Sequence, residues 1–342
     1  MRQSSHALPV KSALARVSFA TVRIMRHLGA ILLCFAVGCG ASNPSHGGTG
    51  GTGGSGGGKG DNGGGTGGTG GGGTGGSGGG TGTDGCSDAA KLIYTIDQDG
   101  TFSSFKPDQT DITKSVFTDI GKLACNAGGL YQPFSMSVDR AANAWVEYVD
   151  QSGFGKNKLF KVSTADASCT ATAYMGGQQG FDEFGMGFVS NTAGSSDETL
   201  FIAGGSAVGG SSNLGTLDTT TFMVSKLPSL NGDPELTGTG LAELWGFFPD
   251  LTANTMQAHV AKIDKMSGAE SMSISLGSAA GMANDWAFAF YGGEFFVFLA
   301  KANGATTVYH VTMSGLKDQL DTSTRHIVGA GVSTCAPTTP IG

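Results

Sequence analysis

Trp286-Ala287-Phe288-Ala289-Phe290, with Phe295-Phe296-Val297-Phe298-Leu299 just behind it, is the stretch whose reading decides the fold. The first run alternates aromatic residues with alanine. Small residues on one face let a strand pack closely around an axis, and a second apolar run after a short polar turn reads as its hairpin partner. The same opening recurs upstream, as Phe134-Ser135-Met136-Ser137-Val138, Phe184-Gly185-Met186-Gly187-Phe188 and Trp245-Gly246-Phe247-Phe248. The four starts lie 50, 61 and 41 residues apart.

Working outward, most inner runs are followed by a second strand, such as Ala144–Tyr148, Thr199–Ala203 and Phe295–Leu299. A third strand comes next, as in Leu159–Ser163, His259–Asp264 and Thr307–Val311, and a polar outer strand such as Ser271–Leu276 closes the unit. The first unit has Leu92–Ile96, a hairpin turn at Asp99-Gly100 and Thr101–Phe105, but no inner strand of its own. The tail after Ile327 is expected to supply it. Four-stranded units at a 40–60-residue period, with hardly any helical periodicity, predict an all-β fold: a β-propeller of about five four-stranded blades spanning 86–342. A β-sandwich or irregular barrel is the alternative.

The first 85 residues are of a different kind. Residues 1–38 carry five basic side chains and no acidic one, and end in an apolar run of about eleven residues, too short to span a bilayer. The run closes on Ala36-Val37-Gly38-Cys39, which resembles the lipobox of bacterial lipoproteins. That resemblance implies cleavage before Cys39 and a diacylglycerol on its thiol, with Ala36 standing where the family favours leucine. Met25 opens a signal of ordinary length, so the true start is expected there. Residue 40 is glycine rather than aspartate, which in Gram-negative lipoproteins implies sorting to the outer membrane, with the domain facing the periplasm or the cell surface. Residues 39–85 then form a Gly/Thr/Ser-rich tether with no apolar surface to bury, spanning roughly 35–40 Å as a random coil. The domain beyond it resembles the uncharacterised propeller lipoproteins of Gram-negative bacteria.

Composition narrows the function classes. Without its first 38 residues the chain has 15 basic against 27 acidic side chains, a net charge of −12. Such a surface repels nucleic acid and anionic headgroups, so the partners expected are the bilayer, through the acyl anchor alone, and a glycan or peptide ligand bound by a monomer. Of six cysteines, Cys34 leaves with the signal and Cys39 is acylated. The remaining four allow three pairings; the favoured set is Cys125–Cys169, between neighbouring units, and Cys86–Cys335, clasping the two ends of the domain.

No zinc-ligand spacing, nucleophile elbow, metalloprotease motif or phosphate loop occurs, so no cofactor, metal or catalytic residue is expected. Asp97-Gln98-Asp99-Gly100 lacks the later acidic ligand of a calcium loop and reads as a turn. One constellation stands out: a polar or acidic residue precedes each inner run, namely Gln132, Asp182 with Glu183, Glu243, and Asp285. Together with Trp245 and Trp286, these would ring one mouth of a propeller channel and bind a cation, a sugar or a cationic peptide. The plainer reading is that the acids solvate loops and the aromatics fill the core. The function expected is a displayed binding or interaction module. The alternative is an extracytoplasmic lyase or hydrolase using the acids of the channel mouth.

Overall fold

The structure is a computed structural model, and it describes residues 85–108, 115–205, 212–250, 258–277, 283–301, 304–322 and 324–340. The signal segment, Cys39 and the tether lie outside the described residues.

Twenty strands form five four-stranded antiparallel sheets. The first comprises β1 (Ile93–Asp97), β2 (Thr101–Phe105) and β3 (Phe117–Lys122). The second is β4 (Tyr131–Val138), β5 (Asn143–Asp150), β6 (Lys158–Ser163) and β7 (Cys169–Ala171). The third is β8 (Glu183–Ser190), β9 (Glu198–Gly205), β10 (Asn213–Leu217) and β11 (Val224–Ser229). The fourth is β12 (Glu235–Gly238), β13 (Leu244–Phe248), β14 (His259–Ile263) and β15 (Glu270–Ser275). The fifth is β16 (Asp285–Tyr291), β17 (Glu294–Ala300), β18 (Thr306–Thr312) and β19 (Gly315–Thr322). The last strand, β20 (Ile327–Gly331), pairs with β1 and becomes the inner strand of the first sheet. The inner strands β4, β8, β12, β16 and β20 each touch the next, and β20 touches β4, so the ring closes as a five-bladed propeller.

The sequence pattern follows from this geometry. A blade's inner and second strands are covered on both faces, so their side chains point alternately to the two neighbouring blades. In β17, Phe295, Val297 and Leu299 join the cluster shared with blade 4, and Phe296 and Phe298 join the one shared with blade 1. Five apolar clusters result, one per seam. Outer strands keep one face in water, hence the polar β7, β11 and β15.

One assignment is corrected. Trp245–Phe248 lies within β13, the second strand of blade 4; the inner strand is the polar Glu235-Leu236-Thr237-Gly238. A doubly covered second strand is as apolar as an inner one, so apolar content alone misplaces it. With β12 restored, the inner strands of blades 2 to 5 begin at 131, 183, 235 and 285, so the 61 and 41 spacings give way to near-equal ones, and β20 follows at 327.

Near the axis, small residues permit close approach. A Cβ on Gly238 would stand 2.1 Å from the Phe188 carbonyl oxygen. Polar side chains of one inner strand cap edge N–H groups of the next. Phe188 N donates to Ser137 Oγ at 3.1 Å, and Phe290 N to Thr237 Oγ1 at 3.2 Å. Glu235 reaches from blade 4 to Ser135 of blade 2 (2.5 Å) and to Met186 N of blade 3 (3.3 Å).

Both expected disulfides are present. Cys86–Cys335 joins the two ends of the domain with Cα atoms 5.9 Å apart, and Cys125–Cys169 ties blade 1 to blade 2 at 5.2 Å. Disulfides of this kind belong to an oxidising, extracytoplasmic compartment.

Candidate functional site

The inner strands all start at one end of the ring, the upper rim, and finish at the lower end. The turn Asp97-Gln98-Asp99-Gly100 joins β1 to β2 on the upper rim, with Gly100 at φ +85, a backbone state that favours glycine. Gln132, near the start of β4, and Arg325 and His326, just before β20, meet it there. Together with Thr101, Asp119 and Thr324 they line an open cavity of about 650 Å³ beside the closing seam.

Arg325 organises this cavity. One guanidinium nitrogen donates to Asp97 Oδ2 at 3.2 Å and Ser103 Oγ at 3.1 Å, the other to Asp119, and Cζ lies 5.1 Å from the centre of the Phe117 ring. Burial pushes the Asp97 carboxyl up; Arg325 partly offsets this, and the charges of Asp99 and Asp119 add to it. Asp97 Oδ1 is buried without a hydrogen-bond partner among the described residues. Asp119 is held down by its hydrogen bond from Arg325. His326 Nε2 lies 2.8 Å from Asp285 Oδ2, and that bond, against the opposing effect of burial, raises the imidazole above its ordinary value. Gln98 Nε2 donates to Gln132 Oε1 at 3.4 Å. The lining therefore offers a guanidinium, an imidazole, two side-chain amides and carboxylates. Such a set suits a ligand carrying both donors and acceptors, such as a saccharide or a peptide backbone.

The residues named from sequence divide. Gln132 lines the cavity, and Asp285 holds His326 at its edge. Asp182 is on the same rim, paired with Lys156 at 2.7 Å, and Glu183 opens β8 beside it. Glu243 is not on this rim. It sits in the turn between β12 and β13, at the lower end, bonded to Lys262 Nζ at 2.7 Å and to Trp245 Nε1 at 3.3 Å. Its placement followed from treating Trp245 as an inner strand. Trp245 and Trp286 are buried in the seam between blades 4 and 5, and Phe184 in that between blades 2 and 3, so these aromatics fill the core. Asp119, Arg325 and His326 stand outside the constellation read from sequence, and Asp97 reads there as part of a turn. For His326 a signal existed: it precedes the closing strand as Gln132 precedes Phe134. Among the described residues no group of three His, Cys, Asp or Glu side chains could hold a metal ion.

Fold and rim together define a disulfide-closed five-bladed β-propeller with a polar cavity at its closing seam. No protein-family model and no curated protein matches the chain. Among solved structures, one of a nidogen/laminin complex is similar at 9% identity, covering 70% of this chain and 97% of that one, with a TM-score of 0.42. A luciferin-regenerating enzyme is similar at 12% identity, covering 70% and 92%, with a TM-score of 0.42. A protein of unknown function from Bacteroides caccae is similar at 9% identity, covering 70% and 84%, with a TM-score of 0.38. Likenesses this remote do not bear on what this chain binds.

Proposed function

We propose that this chain is an outer-membrane lipoprotein whose acylated Cys39 and glycine-rich tether display a propeller that binds a glycan or peptide at its upper rim. The observation that carries the reading is the polar cavity of about 650 Å³ at the closing seam. Its position relative to Cys86 supports it. The chain joins the propeller at Cys86, whose sulfur accepts from Arg140 in the lower turn between β4 and β5. The cavity is at the other end of the blades from Cys86. A tether of this composition imposes little orientation of its own and lets the rim search a volume.

Two measurements test the proposal. Metabolic labelling with an acyl probe should mark the wild-type protein and not Cys39→Ala, which should leave the membrane fraction; a labelled mutant overturns the anchor. A glycan and peptide array probed with the 86–342 domain should give ligands whose retention is lost in Arg325→Ala. Retention unchanged by that substitution removes the cavity as the binding site.

A further inference from the structure

Glu147 lies in the middle of β5, opposite Ser135 of β4 and Leu159 of β6, and its side chain is 0% exposed. It is on the face of blade 2 turned toward blade 3, where Trp145, Leu159, Tyr174, Phe181 and Phe184 form the apolar seam. A carboxyl group here is out of place unless it has a task. Its Oε1 accepts from Asn157 Nδ2 at 2.5 Å and its Oε2 from Phe184 N at 3.1 Å. The second bond is the informative one. Phe184, Met186 and Phe188 all point their N–H groups away from β9, along the open edge of β8. Three side chains from the flanking blades take them in turn: Glu147, Glu235 and Ser137. The inner strand of blade 3 is thus held from both sides by buried carboxyl groups.

We propose that Glu147 is a proton-operated latch: its neutral form keeps the seam between blades 2 and 3 closed, and its ionisation unlocks that seam together with the rim segment that leads into β8. A carboxylate in an apolar seam loses its hydration, and two hydrogen bonds compensate only in part. The charged groups facing it are themselves acidic, Glu183 from β8 and Glu235 from β12. Tyr174, on the segment after β7, faces it too; burial, and then the charge of Glu147, push the phenol up against a hydrogen bond with Asn157, and Asp182 adds to the rise. Among those residues no lysine or arginine pairs with Glu147. Burial, first, and then these like charges hold its carboxyl well above the ordinary range, against the bonds from Asn157 and Phe184.

The sign of the effect follows. The folded state keeps a proton that the unfolded chain gives up near its ordinary value of about 4.3, so stability falls as pH rises from there to the raised folded value. Local opening, which hydrates the carboxylate, is the cheaper response to ionisation, and the segment released carries Asp182 and Glu183 of the rim. The medium's acidity would therefore set the order of that part of the rim.

Amide hydrogen exchange on the full chain between pH 6 and 9, corrected for the intrinsic base dependence, tests this. Peptides covering 176–188 should gain exchange roughly tenfold or more over that range, while peptides covering β17 stay level. Glu147→Gln, which cannot ionise and keeps one oxygen to accept from Phe184 N while giving up the oxygen that accepts from Asn157 Nδ2, should abolish the gain with pH. Equal pH profiles in wild type and Glu147→Gln overturn the latch. If the variant does not fold, the wild-type comparison decides: one common pH profile for both sets of peptides sinks the proposal.

Discussion

Blades 1 and 5 meet each other and are built on different terms. Blade 5 is a continuous meander, with seven paired positions between β16 and β17 and six between β17 and β18. Its hairpins keep neighbouring strands at high local concentration, and its side chains are aromatic on both faces. Phe288 and Phe295 stack with centroids 5.6 Å apart, and Phe298 meets Phe105 of blade 1 edge-on at 5.1 Å. Blade 1 takes its inner strand from the other end of the chain. That strand has four paired positions with β1 and a register shift between Ile96 and Asp97. Loop closure over most of the domain opposes that pairing, and no hairpin assists it.

What blade 1 lacks in continuity is supplied by other bonds. At the lower end Cys86–Cys335 closes the ring, and Ser333 Oγ donates to Ala90 O at 2.6 Å. At the upper end Arg325 binds Asp97 and Asp119, and Gln98 N donates to His326 O at 2.8 Å. Continuity of chain lets apolar packing suffice; a joint between chain ends takes covalent and ionic bonds as well. The candidate cavity sits among those ionic bonds, so polar groups serving closure are also the ones presented to a ligand.

The largest expected effect comes from removing the clasp. Cys86→Ser with Cys335→Ser releases a loop closed over 249 residues. In the chain-entropy model this lowers stability by about 5 kcal/mol, with smaller values common in practice. Thermal unfolding should shift down, and limited proteolysis should cut first near the two ends. Cleavage starting within blade 5 would reverse the comparison.

Phe288→Ala tests the other side. This side chain is fully buried in the seam between blades 4 and 5, and its loss should destabilise by about 3–5 kcal/mol through lost burial and the cavity left behind. Denaturant unfolding measures it, and the ring should remain closed to proteases at its ends.

Arg325→Met should cost about 1–3 kcal/mol, because it leaves the buried Asp97 carboxylate without its cation. Part of the loss should be recovered by Asp97→Asn in the same chain, which a double-mutant cycle reads directly. Additive losses would show that the pair contributes nothing to closure.

The smallest effect is a pH dependence at the same joint. The folded state raises His326 above its unfolded value, through Asp285. The stabilisation is fully present below the unfolded value of about 6.5 and is lost as pH rises through the folded one. Asp285→Asn should therefore lower the melting temperature at pH 6 more than at pH 9. An equal loss at both values would assign the pair a packing role.

Much of this was legible from residues alone, for a local reason. Hairpin turns such as Asp99-Gly100, the order of inner, second, third and polar outer strand, and the missing strand of the first unit are written over short spans. The two cysteine pairs were legible because they stand at the boundaries of units. The rank of two apolar strands within one blade was not. Leu236 and Trp245 are both buried between blades, so the period-2 contrast that marks a half-exposed strand is absent. Glu147 gave no signal either: an acidic residue within a strand reads as solvent-facing until both its sides are known to be covered.

The sequence by itself determined a ring of five repeated sheets, which end of the chain closes it and which cysteines meet, because each is set by local pattern and by count. Tertiary structure alone decided which side chains share the rim cavity. Asp97 and Asp119 share the first sheet and Gln132 belongs to the next blade, but Arg325 reaches them only through the ring's closure. It also decided which carboxyl groups lie in the dry interior, since burial between blades depends on a neighbour that no local pattern names.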